Sequence, residues 1–152
     1  MEQIILGYVR ISSKEQINGT GIERQIKAIE AFAEHVRRNV RRPRTKLRTF
    51  IEKGISGTVE KRPAFSEMIA FADANDCKII IIEDMTRLAR ELLLQMQLAT
   101  YIASKGIDLY SANTGENISK AIYDDPMRKA MIQMQGVFSE LERSTMVKRM
   151  IG

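Results

Sequence analysis

The run Ile4-Ile5-Leu6-Gly7-Tyr8-Val9 constrains this chain most, because it is continuously apolar and then stops abruptly at Arg10-Ile11-Ser12-Ser13. A strand without polar alternation must be covered on both faces, which is the situation of a strand inside a parallel sheet. Ligands of open α/β sheets gather where strands end at their carboxyl side. The run therefore delivers a serine and an arginine to the place where chemistry is expected. Side chains alternate along a strand, so Arg10 and Ser12 are expected on one side of it. A hydroxyl beside a fixed cation suits attack on a phosphodiester.

The rest of the chain supports a parallel α/β arrangement. Thr20-x-x-Glu23 is a capping box, and Ile22, Ile26, Ile29, Ala33 and Val36 follow at helical spacing, predicting a helix over residues 20–37. Residues 46–51 read as a second strand. Gly54, Ser56 and Gly57 make a loop, and Pro63 stands in the first turn of a helix that holds Phe65, Met68, Ile69 and Ala72. Residues 77–83 are the clearest internal strand. A helix from about 90 to 105 ends at Gly106, and residues 107–112 form a fourth strand. Strands alternating with helices predict a largely parallel central sheet of four or five strands flanked by helices. Residues 1–124 form the core of this reading. Residues 125–152 form the start of a long helix, with Asp125 as N-cap and Pro126 at its first position. Along that helix Met127, Met131, Met134, Phe138, Leu141 and Thr145 alternate steps of four and three, a heptad seam suited to association.

Charge is concentrated rather than spread. Arg37, Arg38, Arg41, Arg42, Arg44, Lys46 and Arg48 place seven cations and no anion in twelve residues. Against a net charge of +5, the remainder is slightly acidic. The run reads as a segment that contacts phosphates, or as a solvated loop. One histidine and one cysteine leave no room for the usual zinc site. Cys77 cannot pair within the chain and reads as an inert core thiol of a reduced, cytoplasmic compartment. No apolar run approaches the length of a membrane span. His35 reads as a surface or helix-end residue.

Arginines stand at further element ends: Arg62 after the second strand, Arg87 and Arg90 after the third. With Arg10 they bring four guanidinium groups to one sheet edge near a serine. Such preorganised donors can stabilise the charge of a phosphoryl-transfer transition state without a metal.

The ordered set Tyr8-x-Arg10-x-Ser12-x-x-x-Gln16, Gly54-Ile55-Ser56-Gly57-x-x-x-x-Arg62-Pro63, Arg87-Leu88-x-Arg90 and Glu142-Arg143 resembles the catalytic domain of the serine recombinases, which include resolvases, invertases, integrases and transposases. The resemblance spans nearly the whole chain. It implies that Ser12 is the nucleophile forming a 5′-phosphoserine link to DNA. It implies that Arg10, Arg87 and Arg90 contact the scissile phosphate, with Gln16, Ser56 and Arg62 supporting the site. Arg37, Arg38, Arg41, Arg42 and Arg143 are the expected DNA-binding residues. The implied partners are double-stranded DNA and further copies of the chain, a homodimer joining into a synaptic tetramer, with no cofactor. A DNA-associated protein of bacterial, archaeal, phage or mobile-element origin is implied. Thr86 stands where many members carry Asp, and Glu52 near where many carry Asp. Two other readings use the acidic residues: a metal-dependent nuclease built on Glu52, Glu83 and Asp84, and a receiver-like regulator with Asp84 as phosphoacceptor.

Overall fold

A computed structural model describes residues 3–11, 20–39, 45–53 and 62–124, Thr20 as backbone only. In chain order the elements are β1 (Gln3–Ile11), α1 (Thr20–Asn39), β2 (Thr45–Lys53), α2 (Pro63–Asn75), β3 (Ile79–Ile82), a 3-10 turn (Met85–Arg87), α3 (Leu92–Ser104), β4 (Asp108–Ser111) and α4 (Ile118–Asp124). The four strands form one sheet in the order β2-β1-β3-β4, and every pairing is parallel. The sequence expectation of four or five parallel strands holds at four among the described residues. The helix expected from residue 125, its heptad seam and the residues Ser12, Ser13, Gln16, Ser56, Arg41, Arg42 and Arg143 lie outside the described residues.

The apolar opening run behaves as its composition demands. Leu6 and Tyr8 face one side of the sheet, where Phe65, Met68, Ile102 and Ile118 from α2, α3 and α4 cover them. Ile5 and Val9 face the other side, with Ile29, Ala33 and Val36 of α1. The isoleucine run of β3 divides in the same way, with Ile80 and Ile82 on the first face and Ile81 on the second. Gly7 marks a close helix–sheet approach, since a Cβ there would stand 2.9 Å from Ile29 Cγ2. Burial of these aliphatic side chains at about 25 cal/mol per Å² supplies the main favourable term of the fold.

Boundaries agree with the sequence to within a few residues, and the departures have local causes. Pro63 opens α2 as expected. Gly106 adopts φ +75° just past α3, the left-handed conformation that favours glycine. The helix α3 starts at Leu92, slightly later than expected, and ahead of it Asp84 caps a separate 3-10 turn, accepting from Thr86 N at 2.9 Å. The helix α4 is absent from the sequence reading. Its signal was Asn117, whose Oδ1 accepts from Lys120 N at 3.0 Å in the manner of an N-cap. Ser119 then fastens α4 to β4, donating to Ile107 O at 2.7 Å and accepting from Leu109 N at 3.0 Å. Cys77 is buried in the first core cluster, and His35 is exposed late in α1, as expected.

Candidate active site

The connection from β1 leads to β2 on one side and that from β3 leads to β4 on the other, so β1 and β3 flank the point where strand order reverses. Crevices at the carboxyl ends of such strands are the usual ligand sites of open α/β sheets. Arg10 lies at the end of β1, and Glu83 directly follows β3.

Arg10 reaches across this gap. Its Nε donates to Arg87 O at 3.3 Å and its terminal nitrogen Nη2 to Thr86 O at 2.9 Å. Arg87 reaches back, donating from Nη1 to Arg10 O at 3.4 Å. Arg62, at the entry to α2, donates to Leu88 O. The segment between β3 and α3 is therefore held by guanidinium groups from two other elements. Burial lowers the pKa of Arg10, and the positive charges of Arg62, Arg87 and Arg90 lower it further. Four arginines thus share one electrostatic neighbourhood, with Arg90 exposed and Arg10, Arg62 and Arg87 half-buried. The fold brings together every described arginine assigned to the site from sequence.

Three further side chains hold this arrangement, and sequence reasoning did not give them these roles. Gln25 is fully buried in α1 and grips the backbone of Arg10 from the side. Its Oε1 accepts from Arg10 N and its Nε2 donates to Arg10 O, both at 3.2 Å. Glu52 is buried at the end of β2 and accepts from Tyr8 Oη, Ala64 N and Phe65 N, each at 3.1 Å. Its charge thus satisfies orphan donors at the N-terminus of α2, where Arg62 supplies no side-chain cap. Burial and the nearby Glu52 raise the pKa of Tyr8, so this hydroxyl stays protonated and acts as a donor. Glu83 takes Arg24 on both oxygens, at 3.1 and 3.3 Å, and Arg87 Nε at 3.3 Å. The spacing of Arg24 and Gln25 within the first helix held no visible signal, because each acts on a residue distant in sequence.

The acidic residues weighed as metal ligands or phosphoacceptor are occupied with structure. Glu52 caps a helix and Glu83 pairs with two arginines. Asp84 accepts from Thr86 N and Oγ1 and from Asn113 Nδ2. Among the described residues no group of three or more His, Cys, Asp or Glu side chains is arranged to hold a metal ion. Thr86, where many serine recombinases carry Asp, contributes a carbonyl to Arg10 and a hydroxyl to the cap of its own turn.

The basic run is divided by the fold. Arg37 donates from Nε to Thr45 Oγ1 at 2.9 Å and from Nη1 to Glu34 at 3.2 Å, and Arg38 also pairs with Glu34. Arg48 lies over the rings of Phe50 and Phe71, at 5.1 and 4.3 Å from their centroids. Thr45 pairs with Gln3 whereas Glu52 pairs with Arg10, so Arg37 and the start of β2 lie toward the opposite end of the strands from the arginine cluster. No helix among the described residues is long and apolar enough to cross a membrane.

Comparison with known proteins agrees with this fold. The family model of the resolvase N-terminal domain matches residues 5–152. The chain is 27% identical over 144 residues to the Tn21 transposon resolvase of Escherichia coli, and 26% identical over 144 residues to the Tn501 transposon resolvase of Pseudomonas aeruginosa. Each alignment covers 95% of this chain and 64% of the relative, so the chain spans under two thirds of the length of these relatives. Among solved structures, the N-terminal catalytic domain of TP901-1 integrase has the same fold, with a TM-score of 0.61 at 21% identity, covering 94% of this chain and 98% of that one. A resolvase-family site-specific recombinase from Streptococcus pneumoniae superposes with a TM-score of 0.63 at 20% identity, covering 98% of this chain and 93% of that one.

Proposed function

Because this chain belongs to the resolvase family of serine recombinases, matched over residues 5–152, we propose that it is the catalytic domain of a site-specific DNA recombinase acting through Ser12. The observation that carries this reading is the convergence of Arg10, Arg62, Arg87 and Arg90 at the carboxyl ends of β1 and β3. Ser12 follows β1 directly.

In the proposed reaction Ser12 Oγ attacks the scissile phosphorus. A serine–phosphate bond forms as the bond to the 3′-oxygen breaks; Ser12 Oγ gives up its proton, and the departing 3′-oxygen gains one to leave as a hydroxyl. Rejoining reverses the step: a 3′-hydroxyl attacks the phosphoserine and Ser12 regains its proton. Each exchange swaps one phosphodiester for another, so no nucleotide is consumed and no redox step is needed. The arginine donors stabilise the charge that grows on the phosphoryl oxygens. A single preorganised donor of this kind is worth about 10²–10³ in rate. Gln16 and Ser56 complete the proposed site, and Arg143 with the basic run is assigned to DNA contact. The homodimer and synaptic tetramer, the helix over residues 125–152 and a cytoplasmic, DNA-associated location in a bacterial, archaeal, phage or mobile-element setting belong to the same proposal. The resolvases of bacterial transposons that this chain resembles support it.

The test is covalent capture. The full-length protein carrying Ser12→Ala should bind its recombination site and form no protein–DNA adduct. An adduct that persists in Ser12→Ala, or that disappears only in Ser13→Ala, overturns the assignment. Parent cleavage that stops in EDTA would favour the metal-dependent nuclease instead.

A further inference from the structure

Glu83 is a carboxylate that the proposed chemistry does not use. Its side chain is only 7% exposed, at the end of the central strand β3. Burying such a charge is costly unless cations pair with it. Two do, and they come from different directions. Arg24, 56% exposed in the first turns of α1, forks onto both oxygens. Arg87, 15% exposed in the 3-10 turn, places its Nε on Oε1. The Glu83 backbone is fastened as well, its carbonyl accepting from Ser111 Oγ at 3.2 Å and Asn113 N at 3.0 Å.

A guanidinium is planar, so holding its Nε edge and one terminal nitrogen fixes the plane of the whole group. Glu83 holds the Nε edge of Arg87, and Arg10 O receives Nη1. The same carboxylate ties the loop after β3 to α1, the helix that immediately follows residues 12–19.

We propose that Glu83 is a positioning residue that sets the orientation of Arg87 toward the scissile phosphate, with Arg24 as the counter-anchor that holds Glu83 in place. The inference rests on the recombinase reading. A carboxylate among arginines could instead only dilute positive charge. The two roles differ in sign: removing a positioning group slows cleavage, whereas removing a diluting charge speeds it or tightens DNA binding.

The experiment uses the full-length protein and a duplex carrying its recombination site. It measures adduct formation at saturating protein, the Kd for the same duplex, and the NMR signals of arginine Nε–H groups. Glu83→Gln keeps the shape and removes the charge. It should slow cleavage of bound DNA at least tenfold, leave Kd within about twofold, and shift the Arg87 Nε–H signal with faster solvent exchange. Arg24→Gln, a change at a half-exposed position, should move the same readouts in the same direction. Glu83→Gln should add nothing in an Arg87→Ala background. Cleavage by Glu83→Gln and Arg24→Gln at or above the parent rate overturns the inference, as does an unmoved Arg87 signal or a defect that multiplies with Arg87→Ala. Ser12→Ala runs beside them. An adduct from that variant sinks the nucleophile assignment, while the NMR arm still decides what holds Arg87.

Discussion

Two arginine-rich regions of this molecule invite opposite readings from sequence and structure. The run over residues 37–48 is dense and conspicuous, whereas Arg10, Arg62, Arg87 and Arg90 are scattered through the chain. In the fold the scattered set forms the cluster. Arg10 and Arg62 grip the carbonyls of Thr86, Arg87 and Leu88, and their charges act on one another. The dense run is pulled apart: Arg37 is engaged by Thr45 and Glu34, and Arg48 by two aromatic rings. Thr45, which holds Arg37, and Glu52, paired with Arg10, stand at opposite ends of β2, roughly 23 Å apart at about 3.3 Å per residue. Local charge density therefore does not mark where the fold gathers its arginines. The proposed chemistry needs cations held rigidly by a scaffold, and around the cluster backbone carbonyls and a buried carboxylate hold them.

This contrast is broken most directly by conservative substitution. Arg10→Lys and Arg87→Lys keep the charge and remove the planar fork. Each should slow adduct formation by about 100- to 1000-fold with the thermal transition nearly unmoved. The same replacement at Arg37 or Arg38 should leave the rate of cleavage of bound DNA unchanged. Equal sensitivity at both regions would erase the distinction.

Glu52 tests whether the scaffold behind the cluster carries structural weight. Glu52→Ala strands the Tyr8 hydroxyl and two helix N–H groups in a buried setting. An unsatisfied buried donor costs about 1–3 kcal/mol, so a drop of about 3 kcal/mol in denaturant-measured stability is expected. A variant as stable as the parent would show that α2 does not depend on this cap.

The basic run should respond more weakly and in other observables. Arg48→Gln removes the cation over Phe50 and Phe71 and should cost about 1 kcal/mol of stability. Replacing Arg37, Arg38, Arg41 and Arg42 with Gln should weaken binding to all DNA sequences. The log–log salt slope should flatten by roughly 0.9 for each DNA phosphate that the variant no longer neutralises. An unchanged slope would assign the run to solvent and folding alone.

The smallest expected effect concerns Tyr8. Burial and then Glu52 raise its pKa, so folding favours the neutral phenol. The stabilisation that follows is fully present below the ordinary tyrosine value of about 10 and disappears as pH rises through the raised one. Stability of the parent should therefore fall more steeply above pH 10 than that of Tyr8→Phe, measured by denaturation across that range. Parallel curves would mean that the hydroxyl is not held as described.

The parallel sheet was legible because burial on both faces leaves a signature in composition. Ile4 to Val9 and Ile79 to Ile82 have no polar alternation, and Pro63 and Gly106 punctuate the helices for local steric reasons. The arginines were legible as element-end residues, because sheet topology sends every parallel strand end to one edge. The small helix α4 was not, since its hold on β4 comes from Ser119 bonding to Ile107 and Leu109 rather than from its own periodicity. Nor were the partners of the site. Gln25 grips Arg10 fifteen residues before it, Glu52 caps a helix that begins at Pro63, and Glu83 joins Arg24 to Arg87. The sequence by itself determined strand burial, the helix signals and the positions of the arginines, all of which are local. Only the tertiary structure decided that Glu83, four residues from Arg87, also holds Arg24, because that hydrogen bond forms at about 3 Å between groups that the chain separates by tens of residues.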